Sequence, residues 1–156
     1  MRDDSDVNFE RTDAGVPPAS DLLEAMIAEL TPLYGRIDIP GAPSATPADF
    51  SPPGGSCLVG YDDGEPICVG GIKRLPDGAC EIKRMYVVPQ TRGRGVAKAL
   101  LAALEDEARA LGYTVARLDT GPHQPHAERM YREAGYAAIG NFNANPFASF
   151  WGEKDL

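Results

Sequence analysis

The stretch from residue 81 to residue 100 constrains the fold more than any other part of the sequence. Residues 81–88 are rich in apolar, strand-forming residues, and Pro89 ends the strand that they predict. From Val96 onward, apolar residues recur at helical spacing as far as Leu111. A short turn between a strand and a helix directs backbone N–H groups toward the helix N-terminus, where anions bind. The stretch therefore predicts a strand, an anion-binding turn and a helix in direct succession.

The turn runs from Gln90 to Gly95 and suits a pyrophosphate. Gly93 and Gly95 can adopt positive φ angles, and their lack of a side chain leaves room for a ligand. Cationic side chains add charge-assisted hydrogen bonds to phosphate oxygens. Three of them lie on or just after the turn of this otherwise acidic protein: Arg92, Arg94 and Lys98.

Spacing distinguishes three phosphate-binding motifs. The P-loop pattern G-x-x-x-x-G-K-[ST] is absent. The dinucleotide pattern G-x-G-x-x-G fails because Lys98 stands in place of the third glycine, although Asp119 resembles the acid that binds a ribose. A nucleotide-binding oxidoreductase of the NAD(P) type therefore remains an alternative. The pattern that fits is Q/R-x-x-G-x-G/A, which Gln90, Gly93 and Gly95 satisfy.

A second motif, E-R-M-Y-R-E-A-G-Y, occupies residues 128–136. With the glycine turn and the helix after it, this motif resembles the GNAT superfamily of acyl-CoA-dependent N-acetyltransferases, over roughly residues 56–156. The resemblance implies an enzyme that moves an acetyl group from acetyl-CoA, its cosubstrate, to a primary amine by direct transfer in a ternary complex. A catalytically silent acyl-CoA-binding module is the second alternative.

Hydrophobic periodicity predicts the α/β (α+β) class, with one domain over residues 1–156. Strands near residues 57–61, 66–73 and 80–88 form an antiparallel meander, and an edge strand precedes them near Val7. The strand that begins at Val115 is parallel to the 80–88 strand, because a strand–helix–strand crossover is right-handed. A short helix over residues 126–134 and strands over 136–139 and 148–151 complete the chain.

The resemblance implies a GNAT-like sheet, mixed and mostly antiparallel, that is splayed at two parallel central strands and flanked by helices. Between the first predicted helix, which begins near Ser20, and the meander lies a proline-rich loop over residues 36–55. A loop of this length inside a compact domain is usually functional. In the resembled family, this region helps to form the pocket for the acceptor.

The resemblance also indicates which residues bind acetyl-CoA. In the family, a bulge in the strand before the turn exposes backbone groups to the pantetheine arm and the thioester carbonyl. Gln124 stands where many members carry an asparagine that contacts the pantetheine arm. The candidate cofactor-binding residues are Met85, Tyr86, Val87, Gln90, Thr91, Arg92, Gly93, Arg94, Gly95, Val96, Ala97, Lys98 and Gln124.

Tyr131 and Glu81 are the catalytic candidates. Tyr131 occupies the tyrosine of M-Y-x-x-x-G-Y, where the family commonly places a general acid near the CoA sulfur, and a phenol stays protonated at neutral pH. Packing of the short helix is the alternative role. Glu81 is the candidate general base, or else it pairs with Lys83 or Arg84 on a solvated strand edge. Asp119 is the fallback base.

Two further groups of polar residues have simpler explanations. His123 and His126 are three residues apart, but Pro125 lies between them and a third ligand is missing, so no metal is expected. An asparagine-rich segment either lines the acceptor pocket or forms turns that need no function. It contains Asn141, Asn143 and Asn145.

Composition limits the partners and the compartment. A net charge of −8 argues against a nucleic-acid surface and favours a cationic acceptor, which we expect to be a small-molecule amine. No apolar run approaches the length of about 20 residues that spans a bilayer, and the acidic N-terminus is unlike a signal peptide. We expect a cytoplasmic monomer or homodimer that does not bind membranes. The three cysteines, Cys57, Cys68 and Cys80, are expected to be buried free thiols.

Overall fold

The computed structural model describes residues 6–35 and 45–156. They form one seven-stranded mixed sheet with three helices. The strands are β1 (Val7–Arg11), β2 (Ser56–Asp62), β3 (Glu65–Arg74), β4 (Cys80–Val87), β5 (Val115–Thr120), β6 (Ala137–Ala138) and β7 (Phe150–Asp155). The helices are α1 (Ala19–Tyr34), α2 (Val96–Ala110) and α3 (Pro125–Glu133).

Strands β2, β3 and β4 form the antiparallel meander that the sequence predicts, and β1 is the predicted edge strand. The order in the sheet is β1-β2-β3-β4-β5-β7-β6, and each of the first four strands pairs antiparallel with the next. The β2–β3 hairpin turns at Asp63 and Gly64, which both have positive φ angles of 55° and 82°. Such angles are typical of tight hairpin turns, in which asparagine, aspartate and glycine are the common residues.

The parallel pair in the middle of the sheet is short, and the two strands diverge beyond it. In the described chain, β4 and β5 pair only at Cys80 with Ala116 and at Glu81 with Arg117. Beyond this point β5 stays paired with β7 as far as Thr120, while β4 stays paired with β3. The expected splay is therefore confirmed, and it opens toward the carboxyl ends of both strands.

Two apolar clusters cover the two faces of the sheet. Leu58 belongs to one cluster and its neighbour Val59 to the other, as expected when successive side chains alternate between faces. The first cluster includes the buried face of α2, and the second includes the buried face of α1. The cysteines are free and buried as predicted: Cys57 lies in the α1 cluster, and Cys68 and Cys80 lie in the α2 cluster.

The element boundaries differ from the prediction at three places. Pro32 is expected to limit or kink the end of the first helix, and α1 continues past it to Tyr34. The part of the predicted 36–55 loop from 36 to 44 lies outside the described residues, and the rest contains a 3₁₀ turn, Pro47–Phe50. Strand β6 has two residues, and β7 begins at Phe150 and runs to Asp155, because it pairs with β5 over its whole length. Among the described helices, none is long and apolar enough to cross a membrane.

Candidate active site

A bulge in β4 marks the point where the strand borders the splay. Val69 pairs with Tyr86 and Gly71 pairs with Lys83, so Arg84 and Met85 both lie opposite Gly70. Arg84 has a φ angle of +57°, which is uncommon for a residue with a side chain and concentrates at functional sites. The resemblance places the family's bulge at Met85–Val87, and the observed bulge includes Met85 and begins one residue earlier, at Arg84. It turns the backbone of β4 where strand pairing to β5 has ended.

The turn after β4 holds a row of unpaired backbone donors. Pro89–Thr91 forms a 3₁₀ turn, Gly93 and Gly95 both have φ angles of +81°, and α2 begins at Val96. Within the described ranges, the N–H groups of residues 93–98 have no hydrogen-bond acceptor, whereas the N–H of Ala99 already donates to the Gly95 carbonyl at 3.0 Å. Such a row at a helix N-terminus binds phosphate groups.

A cavity of about 210 Å³ opens beside these donors. The cavity is lined by the end of β4, the glycine turn, the first turn of α2 and one side chain of α3. The residues of the wall are Val87, Arg92, Gly93, Gly95, Val96, Ala97, Lys98 and Met130. A second cavity of about 310 Å³ lies between β1 and α2, and it is lined by none of the predicted site residues.

The three cations of the turn differ in their surroundings. The guanidinium of Arg92 donates to the Val87 carbonyl at 2.9 Å and pairs with Glu29 of α1 at 2.9 Å. Arg94 lies 3.6 Å from a carboxylate oxygen of Asp62. Lys98 is exposed on the first turn of α2. Arg92 therefore links the turn to α1, and Lys98 is the cation best placed to meet a ligand from solvent.

Tyr131 lies next to the bulge. Its hydroxyl donates to the sulfur of Met85 at 3.7 Å, and its side chain is 7% exposed. A thioether is a weak acceptor, so this hydroxyl can turn toward a better one at little cost. Burial, and then the charge of Asp119, raise the pKa of Tyr131 above that of an ordinary phenol. The phenol therefore remains protonated and available as a proton donor.

Glu81 is 2% exposed, so the alternative that placed it on a solvated strand edge is wrong. The predicted proximity to Lys83 is present, with 3.6 Å between the ammonium nitrogen and the carboxylate. Burial raises the pKa of Glu81, although the charge of Lys83 and a hydrogen bond from Asn143 oppose the rise. A carboxylate with a raised pKa is suited to accepting a proton near neutral pH.

Asp119 lies beside Glu81, and Asn143 joins them. The Asn143 amide nitrogen donates to Glu81 at 2.9 Å and to Asp119 at 2.6 Å. Asn145 also donates to Asp119, at 3.0 Å. The asparagine-rich segment therefore reaches the two candidate bases, whereas Asn141 caps its own loop by accepting from the N–H groups of Asn143 and Ala144.

Gln124 immediately precedes α3 and contacts a residue that sequence reasoning missed. The Tyr34 hydroxyl, at the end of α1, donates to the Gln124 side-chain oxygen at 3.4 Å and accepts from the His123 N–H at 3.0 Å. The imidazole of His123 packs edge-on against the Tyr34 ring at 4.9 Å. In the described residues, no group of three or more histidine, cysteine, aspartate or glutamate side chains is arranged to hold a metal ion.

Comparison with known proteins identifies the family. Residues 23–136 match the acetyltransferase (GNAT) family. The chain belongs to the GNAT family. An IAA acetyltransferase of Azospirillum brasilense is 36% identical over 103 residues, which cover 64% of this chain and 67% of that protein. The chain spans 56% to 67% of the length of the curated relatives it matches.

Two solved structures support the fold assignment. A protein of Klebsiella pneumoniae assigned as an acyl-CoA N-acyltransferase is 28% identical, with a TM-score of 0.74 and coverage of 96% of this chain and 97% of that one. A GNAT acetyltransferase of Elizabethkingia anophelis with acetyl-CoA bound is 16% identical, with a TM-score of 0.69 and coverage of 97% and 99%. The mostly antiparallel GNAT sheet also differs from the open parallel sheet of dinucleotide-binding enzymes.

Proposed function

We propose that this GNAT chain transfers an acetyl group from acetyl-CoA directly to a primary amine of a small molecule. The observation that carries the proposal is the row of N–H groups at residues 93–98, which have no acceptor among the described residues and border a cavity at the end of β4. Family membership supports acyl-CoA as the donor. The Elizabethkingia anophelis protein, which has acetyl-CoA bound, provides a structural precedent in the same fold.

The residues around the turn would hold acetyl-CoA in three places. The N–H groups of Gly93 to Lys98 would bind the pyrophosphate. The backbone of Met85 to Val87 would border the pantetheine arm and the thioester, because in the splay the edge of β4 that faces β5 is no longer paired with a strand. Gln124, which the Tyr34 hydroxyl orients, would contact the arm from the side of α3.

Acetyl transfer requires two proton movements, and a residue is available for each. After the ammonium form of the amine has lost one proton to solvent, the neutral nitrogen bonds to the thioester carbon. Glu81 then takes the second proton that the nitrogen must lose, directly or through one water molecule. As the bond from that carbon to sulfur breaks, Tyr131 donates its proton to the departing sulfur. A backbone N–H at the bulge would stabilise the charge on the carbonyl oxygen, a contribution typically worth about 3 kcal/mol.

Charge supports a small, cationic acceptor. The net charge of −8 attracts amines and repels polyanions. Glu81 and Asp119 place two carboxyl groups on one side of the splay, where an ammonium group would be attracted. A compact amine fits this arrangement better than nucleic acid does.

Acceptor-dependent release of the CoA thiol tests the proposal. The purified protein is incubated with acetyl-CoA and a panel of polyamines, amino acids and aminoglycosides, with peptides and arylamines for comparison. We expect release with a small aliphatic amine. Release only with a peptide N-terminus or a neutral arylamine would overturn the acceptor assignment and leave the donor assignment standing.

Thermal unfolding tests the donor separately. Acetyl-CoA at 100 times its dissociation constant should stabilise the protein by about 2.7 kcal/mol, whereas NADH should not. Stabilisation by NADH alone would contradict the acetyltransferase assignment. Stabilisation by acetyl-CoA without turnover of any amine would identify a binding module that lacks catalytic activity.

A further inference from the structure

Asn143 occupies an unusual position between two carboxyl groups that come from different strands. It lies in the loop between β6 and β7, far along the chain from Glu81 on β4 and Asp119 on β5. The side-chain nitrogen of Asn143 donates hydrogen bonds to both carboxyl groups, at 2.9 Å to Glu81 and 2.6 Å to Asp119. A primary amide nitrogen carries two hydrogens, so each carboxyl group receives one of them.

The orientation of this amide is fixed by its other end. The Asn143 side-chain oxygen accepts from the indole N–H of Trp151 at 3.0 Å and from the backbone N–H of Asn145 at 3.2 Å. An indole N–H can only donate, so the oxygen of Asn143 must face Trp151 and its nitrogen must face the carboxyl groups. Trp151 is positioned for this role because it is the cross-strand partner of Asp119.

The shared donor matters because Glu81 is almost fully buried beside a like charge. The charge of Asp119 favours the protonated form of Glu81, whereas Lys83, Lys73 and the Asn143 hydrogen bond favour the ionised form. The two lysines also act on Asp49 of the 3₁₀ turn, so their charge is divided between acidic groups. A hydrogen bond donated to both carboxylates lets them stay ionised side by side.

We propose that Asn143 is a positioning residue for acetyl transfer, whose amide holds Glu81 and Asp119 together as an ionised pair so that Glu81 is ready to accept the proton of the amine. This inference rests on the proposed function, in which Glu81 is the base. Asn143 itself touches neither acetyl-CoA nor the amine in this mechanism. It acts through the carboxyl groups, and Trp151 acts through Asn143.

The substitution Asn143→Asp tests the inference with little change in shape. It replaces the donor nitrogen with a charged oxygen, while the other oxygen can still accept from Trp151. The acidic limb of the kcat/KM profile should move to higher pH by about one unit or more, because a third negative charge favours protonation of Glu81. At neutral pH kcat should fall by about tenfold or more, with the KM for acetyl-CoA unchanged. Asn143→Ala should move the limb in the same direction.

Asn141→Ala is the matched control, because Asn141 shapes the same loop without contacting a carboxyl group. It should leave the pH profile in place. A profile for Asn141→Ala that matches that of Asn143→Ala would show that loop order alone is responsible and would overturn the inference.

A direct titration separates this inference from the proposed function. Carbon-13 NMR of the Glu81 carboxyl group, assigned by comparison with Glu81→Gln, should show titration at higher pH in Asn143→Asp than in the unmodified protein. An unchanged titration would overturn the inference even if turnover falls. If no amine releases the CoA thiol, the proposed function fails and the catalytic role fails with it. The NMR shift then still decides whether Asn143 holds the carboxyl pair.

Discussion

At the scale of single residues, the hydroxyl of Tyr131 has one weak partner in the described part of the chain, the sulfur of Met85. If this phenol protonates the departing sulfur, Tyr131→Phe should lower kcat by roughly 10²–10⁴-fold. The KM for acetyl-CoA should change little, because the ring still fills its place in the core. Steady-state kinetics on a variant with a normal circular dichroism spectrum would measure both quantities.

Tyr113→Phe provides the control for the loss of a buried hydroxyl. The Tyr113 hydroxyl donates to the Gly54 carbonyl, away from the splay. Its loss should reduce stability by about 1 kcal/mol without lowering kcat. A Tyr131→Phe variant that keeps nearly full kcat would assign Tyr131 to packing instead.

Glu81 provides a second prediction, on stability. Because its pKa is raised in the folded protein, folding favours the protonated form. The stability that the protonated group provides is complete below the unfolded pKa, about 4.3, and is lost as the pH rises through the folded pKa. Glu81→Gln, which stays neutral, should therefore increase the free energy of unfolding at pH 7.5 and change it little at pH 4.

Urea denaturation at the two pH values measures this difference. The same variant should lose most of its turnover at pH 7.5, so stability and activity would move in opposite directions. Destabilisation by Glu81→Gln at pH 7.5 would show that the pair with Lys83 outweighs the cost of burial, contrary to this prediction.

At the scale of elements, the turn before α2 and the end of α2 provide a matched pair of glycines. Gly93 and Gly112 have φ angles of +81° and +96°, and a Cβ atom at either position would meet open space. Changing either residue to valine should therefore cost a similar amount, about 1–2 kcal/mol, through the left-handed backbone. Only Gly93→Val should also abolish stabilisation by acetyl-CoA, since its side chain would occupy the space proposed for the phosphates.

Thermal melts of both variants, with and without acetyl-CoA, make the comparison. Gly112→Val should keep the full rise in Tm on addition of the ligand. A rise of normal size in Gly93→Val would mean that acetyl-CoA binds elsewhere.

The sequence predicted elements whose signals are local. The turn at Gly93 and Gly95 and the helix after it follow from spacing along the chain, and the parallel strand follows from the handedness of the crossover. Met85 of the bulge was expected, but its first residue, Arg84, was not, because the exact position depends on how Arg84 and Met85 pair with Gly70 on a different strand. The local sequence pattern does not indicate which residues of two neighbouring strands pair with each other.

The contacts of the candidate site depend even more on the tertiary fold. Asn143 was recognised as a possible pocket residue, but its bond to Glu81 joins residues 62 positions apart. The pair between Arg92 and Glu29 joins residues 63 positions apart. The positive charge that the sequence places on the turn before α2 is therefore partly neutralised by a carboxylate of α1. In both cases the sequence indicated what kind of side chain was present, but it did not indicate which residue that side chain would contact.

At the scale of the whole molecule, the two sides of the sheet carry different residues of the candidate site. The α2 side carries the larger apolar cluster together with Tyr131, while Tyr86 belongs to the α1 cluster. The gap between the diverging strands β4 and β5 connects the two sides at the middle of the sheet. In the proposed mechanism, a thioester that lies along β4 would meet Tyr131 on one side and an acceptor near Glu81 on the other.

The burial of all three cysteines has a practical consequence for measuring turnover. Burial raises the pKa of Cys57 and Cys80 to about 11 and that of Cys68 to about 12, so these thiols carry almost no thiolate at assay pH. A disulfide reagent such as DTNB would then react with released CoA in seconds and with the protein only when the sheet opens. In the absence of substrate, a slow rise in absorbance would remain, and its rate would report how often the folded sheet exposes its interior. One reagent would therefore measure the rates of both catalysis and unfolding.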